Sequence, residues 1–500
     1  MKKIVVIVSL AILAILALPA YLFLSGTIGT SSIAMMLNVM TGKSVETPPE
    51  SVLSQRFKLP PGFSMNVYAR DLPKARFIRF TQAGDLLVTR PYAGDVILIR
   101  RNEQSPTVAG ERVTLLEGLT RPSGIDVLGN WLYVGESNAV GRVPFDADQG
   151  VIAGDYEHII TGLTDDGNHP YKVIGIGPDQ KLYLGQGSTC NVCVEEDIRR
   201  GTLSTYNLDG TDEQVFATGL RNSMGMDWAP WNDALYATDN GRDMLGDDYP
   251  PCELNKLEAG NFYGWPYYNG ANEPDPDYGK EIPSFAANAV APAHEFRAHN
   301  APLGMSFVDS SGWPQSYNKV AMAALHGSWN RSSPDGYKVV SLHWNGDNIQ
   351  SRDFLTGFEK DGDIIGRPVD VAQGPDGAIY ISDDYAGAIY RVSYGESSDA
   401  PQAVPKASET DFVLGTPDWL DDDNITDLQN SGEALFKQNL CASCHNPRTA
   451  VGRLALHNVN ERLQHAELID ALTRPTAPMP ALPLSEDEKR ALAVYLLNPR

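Results

Sequence analysis

The chain has 500 residues, with Lys+Arg 40 against Asp+Glu 63 and a formal net charge of -23. That length exceeds what one small core organises, so more than one domain is expected. The acidity excludes nucleic acid and an anionic membrane surface as electrostatic partners, and is otherwise the charge that keeps an exported protein soluble. From the N-terminus, Lys2 and Lys3 precede an uncharged apolar run over residues 4–24. It is long enough to cross a hydrocarbon layer of about 30 Å with the lysines left in the cytoplasm. Residues 1–25 therefore read as a membrane anchor or, alternatively, a cleaved signal peptide, whose apolar core is usually shorter. Both readings export the rest of the chain, and a bacterial periplasm is the simplest placement. Residues 26–58 form a spacer.

Over 59–395 the sequence repeats. FIRFTQAGDLLVTRPYAGDVILI from Phe77, PSGIDVLGNWLYVGESNAVGRV from Pro122 and YKVIGIGPDQKLYLGQGS from Tyr171 each alternate as a strand, a turn signal and a second strand. The pattern returns at Asn222, Pro302 and Pro368, with inserts expected around 243–300 and 329–365. Six such units predict an all-β six-bladed β-propeller, a β-sandwich or solenoid being the alternative. Loops at one end of its channel would line a mouth. Cys190 and Cys193, in CNVC, suit a short structural disulfide in an oxidising compartment, a metal clip or redox pair being the alternatives; Cys252 is then left over. Residues 396–428, rich in Pro, Ser and Asp, read as a linker that Phe412, Val413 and Trp419 pin to the propeller.

The last segment, 429–500, is a small all-α domain built around CASCH at 441–445. C-x-x-C-H attaches haem c: Cys441 and Cys444 bind the porphyrin and His445 the iron. A zinc site would need a second ligand pair, and no cysteine follows Cys444. His457, His465 and Met479 compete for the second axial position. Met479 is favoured because Pro478 and Pro480 stiffen its loop. Ser485 and Glu488 form a capping box for a terminal helix. This arrangement resembles the C-terminal half of a class I cytochrome c.

The segments NHPYKVIGIGPDQKLYLGQGS, LRNSMGMDWAP, TDNGRDMLGDD, ELNKLEAGNFYGWPYYNG and HGSWNRSSPDGYKVV resemble those of the sorbosone and soluble glucose dehydrogenases. These are propeller enzymes that use pyrroloquinoline quinone (PQQ), and some carry a C-terminal cytochrome c. The resemblance implies that His169 is the catalytic base and that Arg221 and Asn222 sit beside the reactive quinone carbon. It implies that Arg367 holds the cofactor's carboxylate side, with His326, Trp329 and Arg331 as further cofactor contacts. It also implies Ca2+ held by backbone carbonyls at Gly241 and Arg242. Asn168 stands where the soluble enzymes carry Asp, and Cys252 where relatives often carry Asp.

The expectation is a periplasmic dehydrogenase that oxidises a sugar, sugar aldehyde or alcohol with PQQ. Electrons then pass to haem c and to an external acceptor, a cytochrome or a quinone pathway. A calcium-dependent lactonase-type hydrolase and a sugar-binding propeller are the alternatives. Fusion to a one-electron carrier favours the dehydrogenase, because hydrolysis releases no electrons. Selectivity is expected in loops such as 266–300.

Overall fold

The structure, a computed structural model, describes residues 44–310 and 312–395, and toward the C-terminus 416–417, 419–421, 424–439, 441, 464–474 and 482–497. It divides into two compact units, Met1–Ser398 and Asp399–Arg500. The first is a six-bladed propeller. Blades 1 to 6 begin with the strands Ile78–Phe80, Ile125–Leu128, Lys172–Ile176, Ser223–Trp228, Pro302–Phe307 and Pro368–Gln373. Each first strand lies against the first strand of the next blade, and the sixth returns to the first, which closes the ring. Every blade is an antiparallel sheet of four strands, blade 2 with a fifth short one.

Closure comes from the far end of the unit's sequence. Blade 6 supplies three strands of its own, and its fourth is Phe63–Ala69, paired antiparallel with Ala388–Tyr394. Ring closure by hydrogen bonds leaves no open sheet edge at the seam. A helix ahead of that strand, α1 (Glu50–Arg56), buries Leu53 in the same core as Val67, Phe354 and Tyr390.

Alternate joints between blades carry a buried aspartate on the first strand. Asp126 accepts from the Ile176 amide at 2.8 Å, Asp227 from the Phe307 amide at 2.7 Å and Asp370 from the Ile78 amide at 2.9 Å. Each bond ties one blade to the next: 2 to 3, 4 to 5, 6 to 1. Arg79 reaches the same channel and bonds Asp370 at 3.0 Å. Its guanidinium offsets part of the cost of burying three carboxylates.

The stretches expected as inserts are largely blade. Within 243–300 lie Cys252–Leu257 and His294–Phe296, the outer strands of blade 4. Within 329–365 lie Lys338–Asn345 and Asn348–Leu355, those of blade 5. Most residues of Asn348–Leu355 are exposed, so its pattern lacks the apolar run that marks a buried strand. The true excursions are small hairpins, Tyr268–Asn269 with Glu273–Pro274 and Glu359–Lys360 with Asp363–Ile364.

In the second unit, α2 (Ile425–Gln438) packs on α4 (Glu486–Leu497), and α3 (His465–Thr473) adds Leu468 to a small core with Ala493 and Leu497. The expected capping box is present at the start of α4. The Ser485 amide donates to Glu488 Oε2 at 2.7 Å and the Glu488 amide to Ser485 Oγ at 3.3 Å. Gly432 of α2 lies against α4, where a Cβ would meet the Ala491 carbonyl oxygen at 2.1 Å. Trp419 packs edge-on against His465, with Arg490 over its ring, so it belongs to this unit rather than pinning a linker to the propeller. The helix α2 begins inside the stretch read as linker.

The N-terminal anchor or signal peptide falls outside the described residues, as do Phe412 and Val413 of the linker. Among the described residues no helix is long and apolar enough to cross a membrane.

Candidate active site

A propeller puts two sets of residues at one end of its channel: those just before each first strand and those just after each second strand. Here they enclose a cavity of about 700 Å³. Blade 1 brings Lys74, Arg76 and Tyr92, blade 3 His169, Tyr171 and Asn191, and blade 4 Arg221, Asn222, Gly241 and Asp243. Blades 5 and 6 add His299, His326, Trp329, Arg367 and Asp384. Four cations face two carboxylates, in a chain whose formal charge is -23.

The tautomer of His169 is set by the backbone. Its Nδ1 lies 2.8 Å from the Ser188 carbonyl oxygen, which can only accept, so Nδ1 carries the proton and Nε2 is the basic nitrogen. Burial, then the charge of Arg221, holds this imidazole down at about 3, so it is neutral at ordinary pH. Asn168 does not take the place of an orienting acid; its amide donates to the Thr189 carbonyl, and Ser188 orients the ring. Behind the ring, Gly187 leaves room for it. A Cβ there would lie 2.5 Å from Asn222 Oδ1 and 2.7 Å from His169 Cβ.

Arg221 is a clamp. Nε donates to the Asn191 carbonyl, Nη1 to the Asn240 and Gly241 carbonyls, and Nη2 to Asn191 Oδ1 and Asp243 Oδ2, at 2.9 to 3.1 Å. All five guanidinium N–H groups are thereby used, and three loop segments are drawn together. Its own amide, like that of Asn222, donates to Asp239. Asn191 stands between Cys190 and Cys193, which form a disulfide. The CNVC loop is therefore part of the cavity wall.

Arg367 repeats the arrangement in blade 6: its amide donates to Asp383 at 2.9 Å, as Arg221's does to Asp239. Its side chain donates from Nε to the His326 carbonyl and from Nη2 to the Gly327 carbonyl, which leaves Nη1 without a protein partner. His326 Nε2 lies 2.9 Å from Asp384 Oδ1, and Arg76 donates to Asp384 Oδ2 at 3.1 Å. Arg76 also stacks over the Tyr171 ring, 4.5 Å from its centroid. Asp384, Arg76, Tyr171 and Asn191 were not singled out in the sequence. Each comes from a different strand end, and only the closed ring makes them neighbours.

One expected contact, Arg331, lies elsewhere. Arg331 does not face the cavity; it donates to Asp248 and to the Asp247 carbonyl and pins that loop. The Arg242 side chain is locked between Asp275 and Asp277. Trp329 does line the cavity, and Cys252 closes its floor as a buried thiol, pushed up to about 11 by burial. The loop 266–300 contributes His299 to the cavity wall, and Lys74, Arg76 and Tyr92 of blade 1 form the facing wall.

The residues suit a flat tricarboxylate. The cavity has the volume, an excess of cations, an uncommitted fork edge on Arg367, and aromatic rings in its wall. A calcium ion fits less well. The Gly241 and Asn240 carbonyls and Asp243 are hard oxygens, but all three accept from Arg221, so they do not form an open cation site. In the second unit, Cys441 is half-buried just beyond α2, and Cys444, His445 and Met479 lie outside the described residues.

Comparison with known proteins agrees with this geometry. A family profile described as Glucose / Sorbosone dehydrogenase matches residues 134–391, and one described as Cytochrome C oxidase, cbb3-type, subunit III matches 427–496. An uncharacterized protein of Borreliella burgdorferi is 31% identical over 360 residues, 68% of this chain and 92% of its own. Aldose sugar dehydrogenase YliI of Escherichia coli is 29% identical over 194 residues, 37% of this chain and 45% of its own. Among solved structures, the holo form of the pyranose dehydrogenase PQQ domain from Coprinopsis cinerea matches with a TM-score of 0.57 at 20% identity, over 68% of this chain and 97% of its own. That likeness concerns the fold. With a profile spanning half its length, from within blade 2 through blade 6, the chain belongs to the glucose/sorbosone dehydrogenase family and carries a C-terminal cytochrome c domain.

Proposed function

We propose that the protein is a periplasmic quinohaemoprotein dehydrogenase that oxidises a sugar, sugar aldehyde or alcohol with PQQ and delivers the electrons to its haem c. The observation that carries this reading is the cationic cavity, with a neutral imidazole in its wall, on a strongly acidic chain fused to CASCH. Bound PQQ supplies a two-electron acceptor. The protein's own groups do the rest. Arg367, with its free Nη1, and Arg76 offer charge to carboxylates. Arg221 and Asn191 hold the wall rigid. His169 Nε2 accepts the hydroxyl proton as the substrate carbon is oxidised. Asn222, beside Arg221, adds an amide to the same wall. No step runs through calcium.

In the second unit, Cys441 and Cys444 would hold the haem, with His445 and Met479 as iron ligands, and an external cytochrome or quinone pathway would take the electrons. The N-terminal segment keeps the propeller at the outer face of the inner membrane in this reading. The test is to prepare the exported chain free of quinone, add PQQ, and follow the haem bands while sugars and alcohols are screened. Haem reduction that needs both cofactor and substrate supports the proposal; a lactone consumed with the iron unchanged overturns it. His169→Ala should abolish turnover and spare the haem spectrum, and Met479→Ala should change the haem spectrum while substrate-dependent quinone reduction is retained.

A further inference from the structure

Oxidising an alcohol to a carbonyl releases two electrons and two protons. One proton leaves the hydroxyl oxygen. The second starts as the hydrogen on carbon, which departs with both electrons to the quinone. Were those electrons to move on singly, each would reduce the single tethered haem from ferric to ferrous, with the external acceptor reoxidising it in between, and neither would take a proton with it. In a chain whose acceptor is a tethered haem, the second hydrogen must therefore leave the cavity as a proton.

The cavity wall holds a second imidazole that the reading above does not use as a base. His326 Nε2 is 2.9 Å from Asp384 Oδ1, an acceptor, so Nε2 carries the proton and Nδ1 is the basic nitrogen. The backbone that carries the ring is anchored by the His326 N–H, which donates to the Ala301 carbonyl. We propose that His326, held by Asp384, is the second proton acceptor of the cavity and takes the proton released as electrons pass to the haem. The proposal rests on the dehydrogenase reading.

Of the cavity's three imidazoles, His299 has its Nε2 on the Gly246 carbonyl and its Nδ1 taken up by Asn330, with Asp243 3.9 Å away, and only His326 has a carboxylate at hydrogen-bond distance. His169 leans on a neutral carbonyl and faces the positive charge of Arg221, so an imidazolium there is short-lived. At His326 burial, then the charge of Arg367, holds the imidazole down at about 4, with Asp384 pulling the other way; Arg76 also faces it, Lys74 and Asp383 lie beyond, and the phenols of Tyr337 and Tyr385 flank Arg367. Burial raises the Asp384 carboxyl, but His326, Arg76 and Arg367 outweigh it and keep the group ionised. An ionised carboxylate beside the ring stabilises the imidazolium through the interval between two single-electron steps. Asp384 keeps 16% of its side chain open, which gives the proton a way out to solvent.

The test uses the full chain loaded with haem and PQQ, mixed rapidly with an aldose, with quinone and haem absorbance read separately. Asp384→Asn should slow haem reduction about tenfold or more, and by more than it slows quinone reduction. Added imidazole should restore part of the haem rate. His326→Gln should give the same ratio of effects. Equal slowing of both steps, or no slowing of the haem step, overturns the proposal. A second readout needs no cofactor: ¹⁵N-histidine NMR of the quinone-free chain should find His326 protonated on Nε2, and a proton on Nδ1 instead also overturns it. If the unaltered protein reduces no haem with any substrate, the dehydrogenase reading itself fails and this inference with it.

Discussion

At the scale of single residues, the site turns on groups whose protonation the fold dictates. His169 is held at about 3 by burial and Arg221, so it is already the free base throughout the neutral range. The substrate-dependent rate kcat/KM should accordingly show no inflection near 6.5 between pH 5 and 8. A bell with an acid limb near the ordinary histidine value would show that the ring is exposed and that the cavity is open to water. Arg221 carries a different kind of dependence. Its five donors hold two loop segments, at Asn191 and at 240–243, to its own, and Lys has at most three donors with no fork geometry. Arg221→Lys should lower stability by about 3 kcal/mol, read from thermal or denaturant unfolding, because it leaves buried carbonyls without donors and Asp243 with Asn330 alone. Cys252 in the floor requires no such partner, since its thiol stays neutral.

At the scale of elements, blade 4 shows how strands and site share the same residues. Glu253, on Cys252–Leu257, is half-buried beside Asp239; burial, then that neighbouring charge, pushes its carboxyl up to about 8. Unfolded, the group ionises near 4.5, so between about 4.5 and 8 the folded state holds the extra proton. Stability contributed by this group is present below 4.5 and is lost as pH rises toward 8, by a few kcal/mol on the order of the shift. Glu253→Gln should flatten that decline, since an amide nitrogen can donate to the partnerless Asn255 Oδ1. Melting curves from pH 5 to 8 that run parallel in the two proteins would refute it. Gly187, just past Leu182–Gln186, is a purely steric case. Gly187→Ala should push His169 and Asn222 out of line and cut turnover by about a hundredfold, with the melting temperature nearly kept.

The same elements explain what was legible in the sequence. First and second strands such as Lys172–Ile176 and Leu182–Gln186 are buried on both faces and end at turn signals, so they stand out. Outer strands such as Arg112–Leu116 alternate weakly between half-buried and exposed, and two blades' worth of them read as inserts. His169, Arg221, Asn222 and Arg367 could be found because each sits in a run resembling a known family. Asp384 and Arg76 could not, because 308 residues separate them and only the ring brings them to 3.1 Å.

At the scale of the molecule, the ring has one seam joined by residues distant in sequence. Five blades are continuous in sequence, but Phe63–Ala69 must find Ala388–Tyr394 before the sixth exists. No local pattern announces that pairing, since its partner lies some three hundred residues away and the strand by itself is ordinary. Yet the site depends on it. Blade 6 carries Arg367 and Asp384, and blade 1, on the other side of the seam, carries Lys74 and Arg76. The salt bridge between Arg76 and Asp384 crosses from one to the other, so cofactor charge complementarity and ring closure rest on the same joint. Val67 sits in the seam strand opposite Tyr390 and is buried in the core that includes Leu53 and Phe354. Val67→Asp puts an unpaired carboxylate there, at a cost of about 4 kcal/mol or more. The propeller should then melt earlier as a single transition, and quinone-dependent turnover should fall with it, because blades 6 and 1 part together. The haem spectrum reports on the other unit and should not change. If the variant instead kept full turnover and merely frayed before residue 69, the strand would be an appendage and the ring would be closed by its first strands alone.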